Sequence, residues 1–206
     1  MTLQPDTSAA VATEIDNGVS TTDEQLMLAY QAGDLSAFEQ LYKKHKGPLY
    51  RYFVRQLRDN TLAEDLYQEV WGKVIKAVAT YQVSAKFTTW LYKIAHNLII
   101  DHIRAVKPLH DTQALGEDQT MDSFNAASDV EPDQQLQQQQ QAKMLQGCID
   151  LLPAVQKEAF LLNVELGLTA AAISDIAKVT LEATKSRIRY AYQSIKLCVS
   201  QKIQEA

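Results

Sequence analysis

The sequence predicts an all-α protein, two small helical domains joined by a flexible acidic linker, on three observations. Gly and Pro are scarce, at 7 and 5 in 206 residues, while Ala, Leu, Gln and Lys are abundant, a composition that favours helix. Apolar residues recur every three or four positions through 23–107 and again through 136–206, the period of a helix buried on one side. Between these blocks, 108–135 is acidic, rich in Ser, Asp, Gln and Ala, and aperiodic, as a tether is. The chain length suits two domains of roughly 70 to 90 residues each.

Residues 1–22 are polar, acidic and without period, and read as a disordered tail. Thr22 or Asp23 is placed to cap a first helix through Leu26, Leu28 and Ala29, which Gly33 ends. Phe38, Leu41, Tyr42 and His45 mark a second helix, expected to break at Gly47-Pro48 because proline disfavours helix at the residue before it. A further helix then runs from Leu49 to about Arg58. Asp59, Asn60 and Thr61 form a break and cap. Beyond them Leu62, Leu66, Val70 and Val74 recur every four residues as one apolar stripe, with Glu64, Asp65, Gln68 and Glu69 turned away from it. Gly72 within this helix costs about 1 kcal/mol relative to alanine, marking either a close contact or a tolerated weakness.

The next helix places Leu91, Ile94, Ala95 and Leu98 on one face and Thr89, Lys93, Asn97, Asp101 and Arg104 on another. After the linker, QQLQQQQQ (134–141) is low-complexity sequence that either extends the tether or opens the next helix. Pro153 starts a helix in which Val155, Ala159, Phe160 and Leu162 are periodic. Thr169 caps a short helix through Ile173 and Ile176, and Thr180 a longer one from Leu181 to about Val199. Helix, tight turn and longer helix make a helix-turn-helix, whose second helix enters the major groove of DNA.

The formal net charge of −5 is unevenly placed. Residues 1–25 carry five acids and no Lys or Arg, and 111–141 seven acids and none, whereas 26–110 carry twelve Lys or Arg against seven acids and 142–206 eight against six. Both helical blocks are therefore basic, as a nucleic-acid partner requires. Cys148 and Cys198 have no CxxC or CxH neighbour and are expected to be reduced core thiols of a cytoplasmic protein. No secretory signal or membrane-length apolar run is present, so no membrane insertion is expected. His45, His96, His102 and His110 lack helical metal-ligand spacing, and no glycine-rich nucleotide loop occurs. Hence no catalytic residues, metal or cofactor are expected.

Tyr81, Lys86, Phe87, Trp90, Tyr92 and Lys93 mix flat rings with positive charge within thirteen positions. Single-stranded nucleic acid needs that combination, since bases stack on rings while ammonium groups hold phosphates; each ring is equally accounted for as core. The order AEDLYQEVW followed by KFTTWLYKIAHNLIIDHIR resembles region 2 of the extracytoplasmic-function (ECF) sigma factors, which bring bacterial RNA polymerase to promoters. GLTAAAISDIAKVTLEATKSRIRYAYQSIK is similar to sigma region 4. Together the resemblances cover about 23–107 and 140–200.

The resemblance implies a promoter-recognition subunit without catalysis, partnered by core RNA polymerase (the beta-prime clamp and the beta flap) and promoter DNA. It places Asp65, Gln68 and Glu69 on the clamp. It puts Ser84, Ala85, Lys86 and Phe87 where a flipped base of the melted minus-ten element is captured, flanked by Trp90, Lys93, Asn97 and Arg104. Lys185, Ser186, Arg189 and Tyr190 fall where region 4 reads bases of the minus-thirty-five element, and Thr180 and Arg187 suit its phosphates. Family members are often held inactive by an anti-sigma factor, which nothing in the sequence identifies. Region 4 departs from the usual pattern: Lys178 stands where a turn glycine is common, Ala183-Thr184 replaces Thr-Val, and Tyr190 and Tyr192 stand where arginines are frequent. A free-standing helix-turn-helix regulator and a sigma-like protein-interaction module are the alternatives.

Overall fold

The computed structural model describes residues 21–106 and 132–204. The tail expected over 1–22 and the linker expected over 108–135 fall almost wholly outside the described residues. Among those residues there are eight α-helices, a single 3-10 turn and no strand, and no helix is long and apolar enough to cross a membrane.

Helix α1 (Asp23–Gln31) starts at Thr22, whose hydroxyl accepts from the Gln25 N–H while the Gln25 side chain accepts from the Thr22 N–H, a reciprocal capping box. Gly33, at φ +104°, turns the chain, and Asp34 caps α2 (Leu35–Leu57). Helix α2 does not break at Gly47-Pro48 as the sequence suggests; Pro48 lies inside one continuous helix. Proline removes one backbone hydrogen bond there, but Leu41, His45, Leu49, Tyr52 and Phe53 on either side bury along a single face, and that burial holds the two halves in line.

Asp59 caps α3 (Asn60–Ala77) by accepting from the Leu62 N–H. Ala63, Leu66, Val70, Trp71 and Val74 bury its inner face. A Cβ added at Gly72 would meet nothing within 4 Å, so Gly72 is a tolerated weakness and no close contact. The 3-10 turn (Val78–Thr80) leads to a short loop and α4 (Phe87–Val106). Glu24 of α1 accepts the Phe87 N–H at 2.6 Å, tying the start of α4 to the first helix. Burial pushes the Glu24 carboxyl pKa up, but this N–H and further hydrogen bonds outweigh it and hold the value below the ordinary one. Helix α4 is buried on more than its expected stripe: Thr89, Tyr92, His96 and Ile99 are also covered. Thr89 therefore does not belong to an open polar face.

Helix α5 (Pro132–Asp150) begins at Pro132, within the expected linker, so the glutamine tract is helical. Pro153 precedes α6 (Ala154–Val164). Thr169 caps α7 (Ala170–Ala177), and Thr180 accepts from the Ala183 N–H at the head of α8 (Leu181–Gln204). The α7–α8 turn passes through Lys178 at φ +53°, where its N–H bonds the Ser174 carbonyl. Lysine thus takes up the left-handed conformation that glycine usually supplies. Cys148 of α5 and Cys198 of α8 form a disulfide, with Cα atoms 5.8 Å apart. This corrects the expectation of reduced thiols: fifty positions separate them along the chain, but α5 packs directly on α8.

The four C-terminal helices sit against the four N-terminal ones, α7 on α4 and α6 on α2. Polar groups line the seam. Glu158 of α6, 7% exposed, accepts from the Tyr52 hydroxyl at 2.8 Å, and the same oxygen lies 2.6 Å from His96 Nδ1. Burial, with the Glu158 charge beside it, raises the Tyr52 pKa well above its usual value. Arg55 pairs with Glu165, Arg58 with Asp150, and Lys157 donates to the Arg55 carbonyl.

Candidate nucleic-acid interface

The loop between the 3-10 turn and α4 is exposed from Gln82 to Lys86. Below it, Tyr81 is buried with its ring 5.2 Å from that of Trp90, edge-on. Gln31 of α1 fixes the loop's base by donating to the Val78 and Tyr81 carbonyls. Ala77, Thr80, Tyr81, Gln82, Ser84 and Trp90 enclose an open recess of about 220 Å³. Lys86, two residues beyond Ser84 in the same loop, is exposed. A half-buried indole, a hydroxyl and a nearby ammonium suit a flat, hydrogen-bonding, negatively flanked guest, which describes a nucleotide.

Phe87 is not part of that surface. Its side chain is fully buried, packed against His45 at 5.3 Å and Trp90 at 5.8 Å between ring centroids. As the first residue of α4 it turns inward to close the core, which removes it from the expected strand-contacting set. Tyr92 is buried as well, its ring edge-on to Tyr52 at 5.3 Å.

Along α4, Lys93 is exposed, Asn97 is half-buried, and Arg104 is exposed, within 3.9 Å of Asp101 one turn earlier. Asn97 accepts a hydrogen bond from Lys178 Nζ at 3.3 Å. Asn97 and Arg104 thus form one wall of a cleft of about 600 Å³ whose other wall carries Lys178 and Arg187. The cleft is of mixed character: Arg104, Lys178 and Arg187 are its cations, Asp101 and Glu158 its acidic groups, and Ile100, Val155 and Val179 part of its apolar lining.

The head of α8 presents the other expected contacts. Thr180 is exposed and spends its hydroxyl on the cap. Lys185 is exposed and pairs with Glu182 at 2.9 Å, a side chain that itself is 82% exposed, so the pair is weak and yields readily to a phosphate. Ser186 is half-buried, and Arg189 lies over the exposed Tyr190 ring at 5.1 Å. At that distance the guanidinium is attracted to the face of the phenol ring. Tyr192 packs instead against Phe160 at 5.3 Å.

On the opposite side of the four N-terminal helices from their core, Asp65, Gln68 and Glu69 are exposed together on α3, with Glu69 paired to Lys73 at 3.3 Å. They offer carboxylates and an amide to a basic partner. Among the described residues no group of three His, Cys, Asp or Glu side chains is placed to hold a metal ion.

Sequence reasoning missed Glu158, Tyr52 and His96 as a set. Glu158 lies on the apolar side of a periodic helix, and an acid in that position is the one available sign of a buried partner. Nothing in the sequence says which partner.

The Sigma-70 region 2 family model matches residues 41–107. The chain is 29% identical over 167 residues to the ECF RNA polymerase sigma factor SigW of Bacillus subtilis, covering 80% of this chain and 89% of that protein. It is 28% identical over 188 residues to the RNA polymerase sigma-H factor of Pseudomonas aeruginosa, covering 89% and 97%. In fold it resembles the sigma factor RpoE from Bartonella quintana, solved with the anti-sigma factor NepR, at a TM-score of 0.65 and 16% identity, covering 81% of this chain and 98% of that one.

Proposed function

We infer that this chain, which belongs to the extracytoplasmic-function sigma factors of bacterial RNA polymerase, brings the core enzyme to specific promoters and starts transcription there. The observation that carries the reading is the extent of the match to SigW, which spans both helical blocks and nearly the whole of that protein. A regulator sharing only a helix-turn-helix would match the C-terminal block alone.

The roles divide by position. Residues 23–107 act as region 2 and 136–206 as region 4. Asp65, Gln68 and Glu69 on α3 dock on a basic helical surface of the polymerase beta-prime clamp. The recess walled by Ser84 and Trp90 receives a base pulled from the melted minus-ten strand, Lys86 and Lys93 hold flanking phosphates, and Asn97 and Arg104 continue the contact along α4. At the upstream end, Lys185, Ser186, Arg189 and Tyr190 reach base edges of the minus-thirty-five duplex while Thr180 and Arg187 hold its backbone. The beta flap supports region 4, and an anti-sigma factor is a fitting antagonist. No bond is made or broken by these groups: the chain acts in the cytoplasm as a specificity subunit and leaves catalysis to the polymerase.

Co-elution with purified core polymerase tests the docking. The chain is expected to travel with the core on size exclusion, and Asp65→Ala/Gln68→Ala/Glu69→Ala together to weaken the association about tenfold or more. An unaltered affinity would remove α3 from the interface.

A further inference from the structure

We propose that helix α1 splints the base-receiving loop, and that Gln31 and Glu24 are positioning residues that set how sharply the recess at Trp90 tells one minus-ten base from another. This rests on the recess being the site of the flipped base.

The loop does little to hold its own shape. Gln82 to Lys86 are all exposed, so burial does not fix them, and the Ser84 N–H reaches only two residues back, to the Gln82 carbonyl at 2.9 Å. Both ends of the loop are held from α1 instead. Gln31 Nε2 donates to the Val78 carbonyl at 2.8 Å and to the Tyr81 carbonyl at 3.2 Å, which ties the 3-10 turn to the first residue of the loop. At the other end, Glu24 accepts from the Phe87 N–H at 2.6 Å. That N–H belongs to the first turn of α4 and has no partner within the helix, and the helix dipole favours a carboxylate there.

Gln31 and Glu24 are seven positions, or two turns, apart and share a face of α1. A single rigid rod therefore sets the distance between the ends of the loop. The rod is itself fixed to the core: Leu26 and Met27 are buried, and Asp23 takes Lys44 and His45 of α2 at 2.7 and 2.9 Å. Neither Gln31 nor Glu24 lines the recess, so neither touches the guest. They act through Tyr81, Ser84 and Trp90, which do line it. A hydroxyl held in place favours the base that meets it and leaves every other base with an unmatched polar group. A hydroxyl on a loosened loop follows whichever base arrives. Loss of the splint therefore weakens discrimination more than it weakens initiation.

Run-off transcription by the holoenzyme, assembled from core polymerase and the full chain, tests this on a mapped promoter and on templates carrying each single-base change in the minus-ten element. The readout is the ratio of initiation on the parent template to that on each changed one, with changes in the minus-thirty-five element as the control. Gln31 is exposed, so Gln31→Glu, which removes the donor at constant size, leaves the core intact. It is expected to lower the ratio about tenfold at the base the recess receives and to leave the minus-thirty-five ratios as they are. Glu24→Leu is expected to do the same, whereas Glu24→Gln keeps a carbonyl acceptor for the Phe87 N–H and is expected to keep the ratio near that of wild type. A general weakening of the fold would lower initiation on all templates together and leave the ratios unchanged. Unchanged minus-ten ratios in Gln31→Glu and Glu24→Leu, or an equal loss in Glu24→Gln, would overturn the splint. Ser84→Ala and Trp90→Ala on the same templates separate the two ideas: if they flatten a minus-ten ratio while the α1 variants do not, the splint fails and the recess stands; if they change no ratio, the recess is not the base site and the splint falls with it.

Discussion

Phe87 and Trp90 are three positions apart in a stretch where every ring reads equally well as core or as a stacking surface. The structure separates them: Phe87 is fully buried, while Trp90 keeps one side on the recess beside Ser84. Phe87→Ala is accordingly expected to cost about 3–5 kcal/mol of folding stability by denaturant titration, as truncated core aromatics do. Trp90→Ala is expected to weaken binding of a minus-ten strand with a smaller loss of stability. Gly72→Ala is expected to raise stability by up to about 1 kcal/mol, because its site is open and helical. Period alone made Leu66, Val70 and Val74 legible as core. It could not decide Phe87, whose inward turn depends on Glu24, 63 positions earlier, accepting its N–H. At Lys178 the residue type put the turn in doubt, since the resemblance sets a glycine there, and the structure keeps the left-handed turn with lysine in it.

Caps carried most of the element-level information: Thr22, Asp59, Thr169 and Thr180 each accept a backbone N–H where the sequence places a helix start. Pro48 misled for the opposite reason, because a local breaker is overridden when both flanks bury on one face. The Cys148–Cys198 link was out of reach of spacing rules, as it depends on α5 lying along α8. Reduction is expected to lower the stability of the C-terminal helices by about 2–4 kcal/mol, read as a drop in melting temperature with dithiothreitol. His45 joins α2 to α1 through Asp23, at 2.9 Å. Burial lowers its pKa below the usual 6.5 against the opposing pull of Asp23. The unfolded chain then binds the proton first, so this group's contribution is intact above pH 6.5 and declines as pH falls below it, levelling off once the folded value is passed. Thermal melts should show that loss, and His45→Gln should flatten it.

The all-helical class and the two basic blocks were legible at the scale of the whole molecule because composition, period and charge agree over long stretches. The arrangement of the blocks was not, since it hangs on single pairs such as Tyr52–Glu158 and Lys178–Asn97 that join positions 106 and 81 apart. Asp65, Gln68 and Glu69 on α3, the loop beside the Trp90 recess and Lys185, Arg189 and Tyr190 on α8 are all exposed, as the proposed binding to a polymerase and two stretches of DNA requires. Run-off transcription with purified core polymerase, on a promoter mapped from transcripts induced by overproducing the chain, tests that claim most directly. The expected result is a transcript of defined start that requires both the core and this chain. A core that initiates equally with and without it, or a chain that binds the promoter duplex yet never yields a transcript, would contradict it.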